Sequence, residues 1–84
     1  MVDFGHGGVG VECARMLAEY GADVVKIESH AYPDFIRIVM GGEMSAPFAS
    51  SSRTKRCLGL NLKHPGAIQI VERLVAWADV IVEN

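Results

Sequence analysis

The fold is decided by residues 1–27, MVDFGHGGVGVECARMLAEYGADVVKI. A short apolar run at residues 1–4 precedes the glycine-rich stretch GHGGVG at residues 5–10. The apolar residues that follow recur at helical spacing: Val9, Cys13, Met16, Leu17 and Tyr20. This helix is expected to end at Gly21, because glycine adopts positive φ without a Cβ clash. Residues 23–27 are β-branched and apolar, as in a buried parallel strand, so the segment predicts a βαβ unit.

The second half of the chain predicts a similar order of elements after a long irregular stretch. Residues 29–57 contain glycines, prolines and a serine cluster and predict a long loop, within which residues 35–40 could form a short helix or strand. Leu58, Leu60 and Leu62 alternate with small or polar residues, which indicates a strand. Pro65 suits the first turn of a helix. The expected apolar side of that helix comprises Ile68, Val71, Leu74, Val75 and Ala78, and residues 79–84 predict a last strand.

These elements predict a single α/β domain over residues 1–84. Its expected architecture is a Rossmann-like parallel sheet of about four strands with two main helices. The first βαβ unit occupies residues 1–28, the long loop residues 29–57, and the second βαβ unit residues 58–84.

Composition limits the classes of function. Half of the 84 residues are hydrophobic and 21% are charged, which is typical of a globular protein. No apolar run approaches the ~20 residues of a membrane span, and an acidic residue stands where a secretory signal would be basic, so we expect a cytoplasmic protein without a membrane partner. The net charge of −2 disfavours nucleic acid as a partner but not a local anion site.

The cysteines and histidines indicate no metal. Cys13 and Cys57 are far apart and form no CxxC pattern, so buried free thiols are expected rather than a zinc site or a redox pair. His6, His30 and His64 lack the spacing of metal ligands. The sequence also contains no GxSxG, HExxH or GxxxxGK[ST] motif, so serine hydrolases, zinc proteases and P-loop proteins are disfavoured.

Candidate binding residues follow the expected strands at their carboxyl ends, where open α/β sheets bind ligands. These positions are residues 5–10, 28–29, 63–64 and 83–84. The spacing Gly-x-Gly-x-x-Gly, with Glu28 at the place of a ribose-binding acid, is compatible with a dinucleotide. Equally, the glycines could serve only to let the first helix pack close to its strand.

Charged residues of the second half add one candidate. The basic side chains of Arg53, Lys55, Arg56 and Lys63 could neutralise phosphates. For Arg53 and Lys55 a solvated charge run is the favoured interpretation, whereas Lys63 ends an expected strand at the ligand edge. Asp34 and Glu43 have no evident partner, so the sequence shows binding residues without a catalytic group.

Four segments of the chain resemble one known family. VDFGHGG, LAEYGADVVKIES, KRCLGLNLKHPGA and ADVIVEN, in this order, are similar to the N-terminal part of the family III CoA-transferases. This is the CaiB/BaiF group, which includes formyl-CoA transferase and α-methylacyl-CoA racemase. The resemblance covers nearly all 84 residues, but only the first part of a family chain several times longer. It implies a domain that holds coenzyme A (CoA), with an acyl-CoA and a carboxylic acid as substrates, in a homodimer of interlocked subunits.

The resemblance also implies which residues contact CoA. Carried over one by one, the contacts are Gly7 and Gly8, then Leu60, Asn61, Leu62 and Lys63, and finally Asn84. The catalytic aspartate of the family lies beyond the residue that matches Asn84, so no catalytic residue is expected within this chain. The expected function is the CoA-binding part of an enzyme that moves CoA between carboxylic acids or racemises an acyl-CoA. The alternatives are a small non-enzymatic module that binds NAD or another nucleotide, and an inactive remnant.

Overall fold

A computed structural model describes residues 1–39 and 45–84 of the chain. The strands are β1 (Val2–Asp3), β2 (Val25–Glu28), β3 (Arg56–Gly59) and β4 (Ile81–Val82). The helices are α1 (Val9–Glu19), α2 (Phe35–Val39), α3 (Ala46–Ser51) and α4 (Ala67–Trp77).

The four strands form one parallel sheet in the order β3-β2-β1-β4. Val2 of β1 pairs with Val25 of β2 on one side and with Ile81 of β4 on the other. The expected α/β class with a four-stranded parallel sheet is therefore confirmed. Because the strands are parallel, the segments that follow them all leave from one side of the sheet, which we call the carboxyl edge.

The core consists of two apolar clusters on opposite faces of the sheet, because successive strand residues point to opposite faces. On one face Met1 and Val24 pack with Ala14 and Ala18 of α1. On the other face the buried residues Val2, Val25 and Ile27 pack against partly buried residues that include Leu58, Leu74 and Ala78. The two longest helices, α1 and α4, thus cover different faces of the sheet.

The predicted apolar side of α1 was wrong. The helix buries Gly10, Val11, Ala14 and Ala18, whereas Val9 is 81% exposed and Tyr20 is 89% exposed. Cys13, Met16 and Leu17 are exposed as well. Small residues let α1 approach the sheet closely, and this selects the packed face more strongly than side-chain hydrophobicity does. The predicted helix end is confirmed, because Gly21 follows the helix with φ +103°.

Residues 29–57, predicted as a long loop, contain two short helices and the start of a strand. The possible element at residues 35–40 is a helix over Phe35–Val39; Met40 and Glu43 lie outside the described residues. Ser45 caps the N-terminus of α3, because its hydroxyl accepts a hydrogen bond from the Phe48 N–H at 3.2 Å. The stretch predicted as a loop therefore contains a capped helix, which the loop prediction overlooked.

Strand and helix boundaries in the second half also differ from the prediction. The β3 strand ends at Gly59, so Leu60 and Leu62 lie beyond it, and Pro65 precedes the first residue of α4. On α4 the predicted side is partly correct, since Val71, Leu74 and Ala78 are half-buried while Ile68 and Val75 are exposed.

The expectation of buried thiols was wrong, because Cys13 and Cys57 are both exposed. Among the helices of residues 1–39 and 45–84, none has the length and apolar character needed to cross a bilayer.

Candidate functional site

The glycine loop, residues 5–10, joins β1 to α1 at the carboxyl edge. Gly7 has φ +76°, and a Cβ at this position would lie 1.8 Å from the Phe35 ring. A Cβ on Gly5 would approach the backbone at the start of α1 to 2.9 Å. In contrast, a Cβ on Gly8 would meet nothing within 4 Å. Packing and backbone conformation therefore account for Gly5 and Gly7, but they do not account for Gly8.

Asn84, which follows β4, contacts the same loop. Its Oδ1 accepts a hydrogen bond from the His6 N–H at 3.1 Å, and its Nδ2 donates one to the His6 carbonyl at 3.3 Å. The Oδ1 atom would lie 2.5 Å from a Cβ on Gly10, so a side chain there would displace the Asn84 amide from the loop. The structure thus brings Asn84 together with the loop that contains Gly7 and Gly8.

Four charged side chains without exposed surface lie behind the loop and form the buried ion network: Asp3, Lys26, Asp34 and Lys55. The Lys26 Nζ lies 2.9 Å from the Asp34 Oδ2 and 4.0 Å from the Asp3 Oδ2, and the Lys55 Nζ lies 2.9 Å from the Asp3 Oδ2. The two cations and two anions balance each other, as buried charges require. The solvated interpretation of Lys55 was wrong, because its side chain is buried and pairs with Asp3, which lies 52 positions earlier in the chain.

The buried ion network binds the backbone of the glycine loop. The Gly5 N–H donates to the Asp3 Oδ1 at 2.7 Å, and the Gly7 N–H donates to the Asp34 Oδ1 at 2.8 Å. The Lys26 ammonium donates to the Gly5 carbonyl at 2.8 Å. These N–H groups are therefore engaged by the protein itself and are not available to a ligand.

The N–H groups of Gly8, Val9 and Gly10 come next along the chain. Within residues 1–39 and 45–84 they make no hydrogen bond to the protein. They lie at the N-terminus of α1, where unpaired N–H groups and the helix dipole favour a negative charge. The open space at Gly8 lets such a charge approach them.

The pKa of the Asp34 carboxyl is lowered. Burial is the largest single influence and raises the pKa, but Lys26 and the N–H groups of Gly7 and Ile36 together outweigh it. Asp34 therefore remains ionised and continues to accept the hydrogen bond from Gly7.

Glu28, the candidate ribose-binding acid, is engaged within the protein. Its carboxylate pairs with the Arg37 guanidinium at 2.7 and 3.0 Å and accepts the Asp34 N–H at 2.8 Å. Burial raises the pKa of Glu28, but Arg37 and the Asp34 N–H outweigh this and the pKa is lowered. A carboxylate with these partners supports the turn after β2, and nothing in the structure favours the ribose-binding role.

The β3 loop, residues 60–63, forms the other part of the carboxyl edge. Leu60 is half-buried, and the other three residues are exposed. The Asn61 Oδ1 accepts the Lys63 N–H at 3.1 Å. The Lys63 ammonium contacts the Tyr32 hydroxyl at 2.6 Å and lies 4.9 Å from the centre of the Tyr32 ring. Because β2 separates β3 from β1, the β3 strand runs about 10 Å from β1.

The remaining polar candidates lie outside this arrangement or have local partners. Arg53 pairs with Glu19, and Arg56 at the amino end of β3 pairs with Asp23 at 2.6 Å. The His64 Nδ1 accepts the Gly66 N–H at 3.0 Å. The part of the chain that the structure describes contains no group of three or more histidine, cysteine or acidic side chains placed to hold a metal.

Comparison with known proteins gives the family. The sequence model of CoA-transferase family III matches residues 1–84. The chain belongs to CoA-transferase family III. The resemblance of its four sequence segments to this family is thus confirmed.

Known CoA-transferases are similar to the chain but much longer. The β subunit of succinyl-CoA–L-malate CoA-transferase of Chloroflexus aurantiacus is 38% identical over 77 residues, which cover 86% of this chain and 18% of that protein. The formyl-CoA:oxalate CoA-transferase of Rhodopseudomonas palustris is 32% identical, with 100% of this chain and 20% of that protein covered. The chain therefore spans about a fifth of the length of these relatives.

A solved structure shows the same fold. The crystal structure of a hypothetical protein from Mycobacterium tuberculosis matches 95% of this chain with a TM-score of 0.81 and 26% identity. The match covers 22% of that protein.

The feature that sequence reasoning missed is the buried ion network. In the sequence, Asp34 has no evident partner and Lys26 lies within a predicted strand. A lysine flanked by Val25 and Ile27 in a buried strand is the one signal that could have revealed it, because lysine is almost never fully buried unless it is paired.

Proposed function

We propose that the chain is the Rossmann-like, N-terminal CoA-binding part of an enzyme that moves CoA between carboxylic acids. Membership of CoA-transferase family III supports this proposal, as do the similar proteins, whose names describe transfer of CoA between acids such as succinate and malate or formate and oxalate. These names favour transfer over racemisation of an acyl-CoA.

The proposed CoA contacts are Gly7, Gly8, Leu60, Asn61, Leu62, Lys63 and Asn84. The observation that carries this proposal is the hydrogen-bonded contact of Asn84 with the glycine loop, because it joins two of the three proposed segments at the carboxyl edge. The third segment, the β3 loop, leaves the same edge two strands away. An elongated ligand that lies along this edge would contact all three segments.

The chemistry of this edge fits a phosphate-bearing ligand. The N–H groups that begin at Gly8 have no partner within residues 1–39 and 45–84 and can donate hydrogen bonds to an anion. The exposed Lys63 ammonium supplies a positive charge at the β3 loop. CoA combines negative phosphates with an extended shape, so it suits both features.

The proposal extends to the protein at its natural length. We propose a cytoplasmic homodimer that takes an acyl-CoA and a carboxylic acid as substrates. Its catalytic aspartate would be supplied from outside residues 1–84, as the resemblance to the family implies. This agrees with the share of the relatives that the chain spans.

Isothermal titration of the natural-length protein with CoA and with NAD tests the function. We expect binding of CoA, little binding of NAD, and about tenfold weaker CoA binding in the Lys63→Ala variant, as expected for loss of one charge-assisted contact. The Arg73→Ala variant removes a comparable exposed charge from α4 and should bind CoA like the wild type. Tight binding of NAD without binding of CoA would overturn the proposal.

A further inference from the structure

We infer that Lys26 is a positioning residue of the CoA site, which holds the glycine loop so that the N–H groups from Gly8 onward face the ligand. Lys26 does not contact the ligand in this account. The identity of the ligand as CoA rests on the proposed function. The contacts of Lys26 with the glycine loop do not depend on it.

Lys26 is placed to act on the loop at two points. Its ammonium donates to the Gly5 carbonyl at 2.8 Å, and it lies 2.9 Å from the Oδ2 of Asp34. The other oxygen of Asp34 accepts the Gly7 N–H at 2.8 Å. One buried cation therefore orients a carbonyl of the loop directly and an N–H group of the loop through Asp34.

Stability alone does not explain a lysine at this position. The side chain is fully buried in a strand whose other core residues are Val25 and Ile27. Replacing buried ion pairs by well-packed apolar residues is often neutral or stabilising, because charges lose hydration when they are buried. An apolar residue at position 26, however, could neither donate to the Gly5 carbonyl nor pair with Asp34. These two contacts with the loop are what the lysine adds.

The contacts determine which N–H groups remain for a ligand. The N–H groups of Gly5 and Gly7 point toward buried carboxylates, and that of His6 points toward Asn84. The first N–H group without a protein partner in the described residues is therefore that of Gly8, at the position with open space. Without Lys26, the Gly5 carbonyl lacks its donor and Asp34 lacks its cation, so this arrangement should loosen.

The test uses two variants at position 26 and a matched control. Lys26→Met keeps the length of the side chain but leaves Asp34 without its cation, and this variant can fail to fold. In Lys26→Met/Asp34→Asn no unpaired charge is left at these two positions, and the amide oxygen introduced at position 34 can still accept the Gly7 N–H. The control Arg56→Met removes an exposed ion pair with Asp23 at the amino end of β3.

Each natural-length variant is titrated with CoA below its unfolding temperature, and amide hydrogen exchange is followed in the peptide that contains residues 5–8. We expect the double variant to be folded, to exchange faster in this peptide, and to bind CoA about tenfold more weakly than the wild type. The control should match the wild type in both measurements.

The outcomes separate the inference from the proposed function. A folded double variant with wild-type CoA affinity or unchanged exchange at residues 5–8 overturns the positioning role, because a merely structural role would leave both unaltered in the folded protein. A wild-type protein that does not bind CoA overturns the proposed function and the ligand part of the inference, while the exchange measurement still decides whether Lys26 holds the loop.

Discussion

The two ends of the carboxyl edge are built differently. In the glycine loop, residues 5–7 are each bound by a buried or distant side chain: Asp3 and Lys26 bind Gly5, Asn84 binds His6, and Asp34 binds Gly7. In the β3 loop, the side-chain hydrogen bonds of Asn61 and Lys63 are exposed, and the Lys63 ammonium contacts the exposed Tyr32.

This difference indicates that the two ends of the carboxyl edge would respond differently to a ligand. The shape of the glycine loop is fixed by the fold before a ligand arrives, which lowers the entropic cost of binding. The exposed side chains of the β3 loop retain conformational freedom that a ligand would restrict. Substitutions that disturb the glycine loop should therefore alter stability, whereas those of the exposed residues 61–63 should alter ligand affinity alone.

Lys26→Met should give the largest loss of stability. Removal of one member of a buried ion pair leaves an uncompensated charge and typically costs about 3–5 kcal/mol. Urea unfolding of the protein measures the change. The exposed Arg56→Met variant should remain close to the wild type. Equal losses of stability in both variants would contradict the conclusion that the buried ion network stabilises the glycine loop more than an exposed ion pair stabilises the surface.

Gly7→Ala should be the next most destabilising change, and Gly8→Ala is its matched control. Alanine at φ +76° costs about 1–2 kcal/mol, and its Cβ would also displace the Phe35 ring. At Gly8 the space is open, so the free energy of unfolding should change by less than ~1 kcal/mol. Thermal unfolding of the two variants measures this difference, and similar losses for both would contradict the assigned roles of the two glycines.

Acid should destabilise the support of the glycine loop. The pKa values of Asp34 and Glu28 are lowered in the folded protein, so their stabilisation is present above the unfolded values near 3.8 and 4.5 and is lost as the pH falls through the folded values. Each proton taken up on unfolding changes the free energy by at most about 1.4 kcal/mol per pH unit. Urea unfolding between pH 6 and pH 3 measures the slope.

Two variants test which carboxyl group causes the loss of stability with falling pH. Asp34→Asn should flatten the decline of stability with acid, whereas Asp79→Asn, at an exposed position before β4, should leave it unchanged. An identical slope in wild type and Asp34→Asn would show that Asp34 does not contribute to the acid sensitivity.

Tyr32→Phe should have the smallest effect on stability. The substitution removes the hydroxyl that contacts Lys63 but retains the ring, and both side chains are exposed. The free energy of unfolding should therefore change by less than ~0.5 kcal/mol. Thermal unfolding measures this change, and a loss as large as that of Gly7→Ala would remove the contrast between the two loops.

The order of elements could be predicted from the sequence because apolar periodicity and glycine positions are local signals. The packed face of α1 could not, because hydropathy gives weight to Met16 and Leu17, whereas close packing on the sheet selected Ala14 and Ala18. The two short helices after β2 were too short to show periodicity.

The pairing within the buried ion network could not be predicted from the sequence for a different reason. Lys55 and Asp3 are 52 positions apart, and nothing local in either segment indicates that they pair. Asn84 and Lys63 could be placed at the carboxyl edge because they follow strands. The separation between them depends on the strand order β3-β2-β1-β4, which no local pattern specifies.

The most direct test of the account is amide hydrogen exchange of the natural-length protein with and without CoA. We expect CoA to slow exchange in two separate peptides, one containing residues 8–10 and the other residues 60–63, while α4 beyond its first turn remains unaffected. Protection of neither segment by saturating CoA, or protection confined to the exposed face of α4, would contradict the proposed binding of CoA along the carboxyl edge.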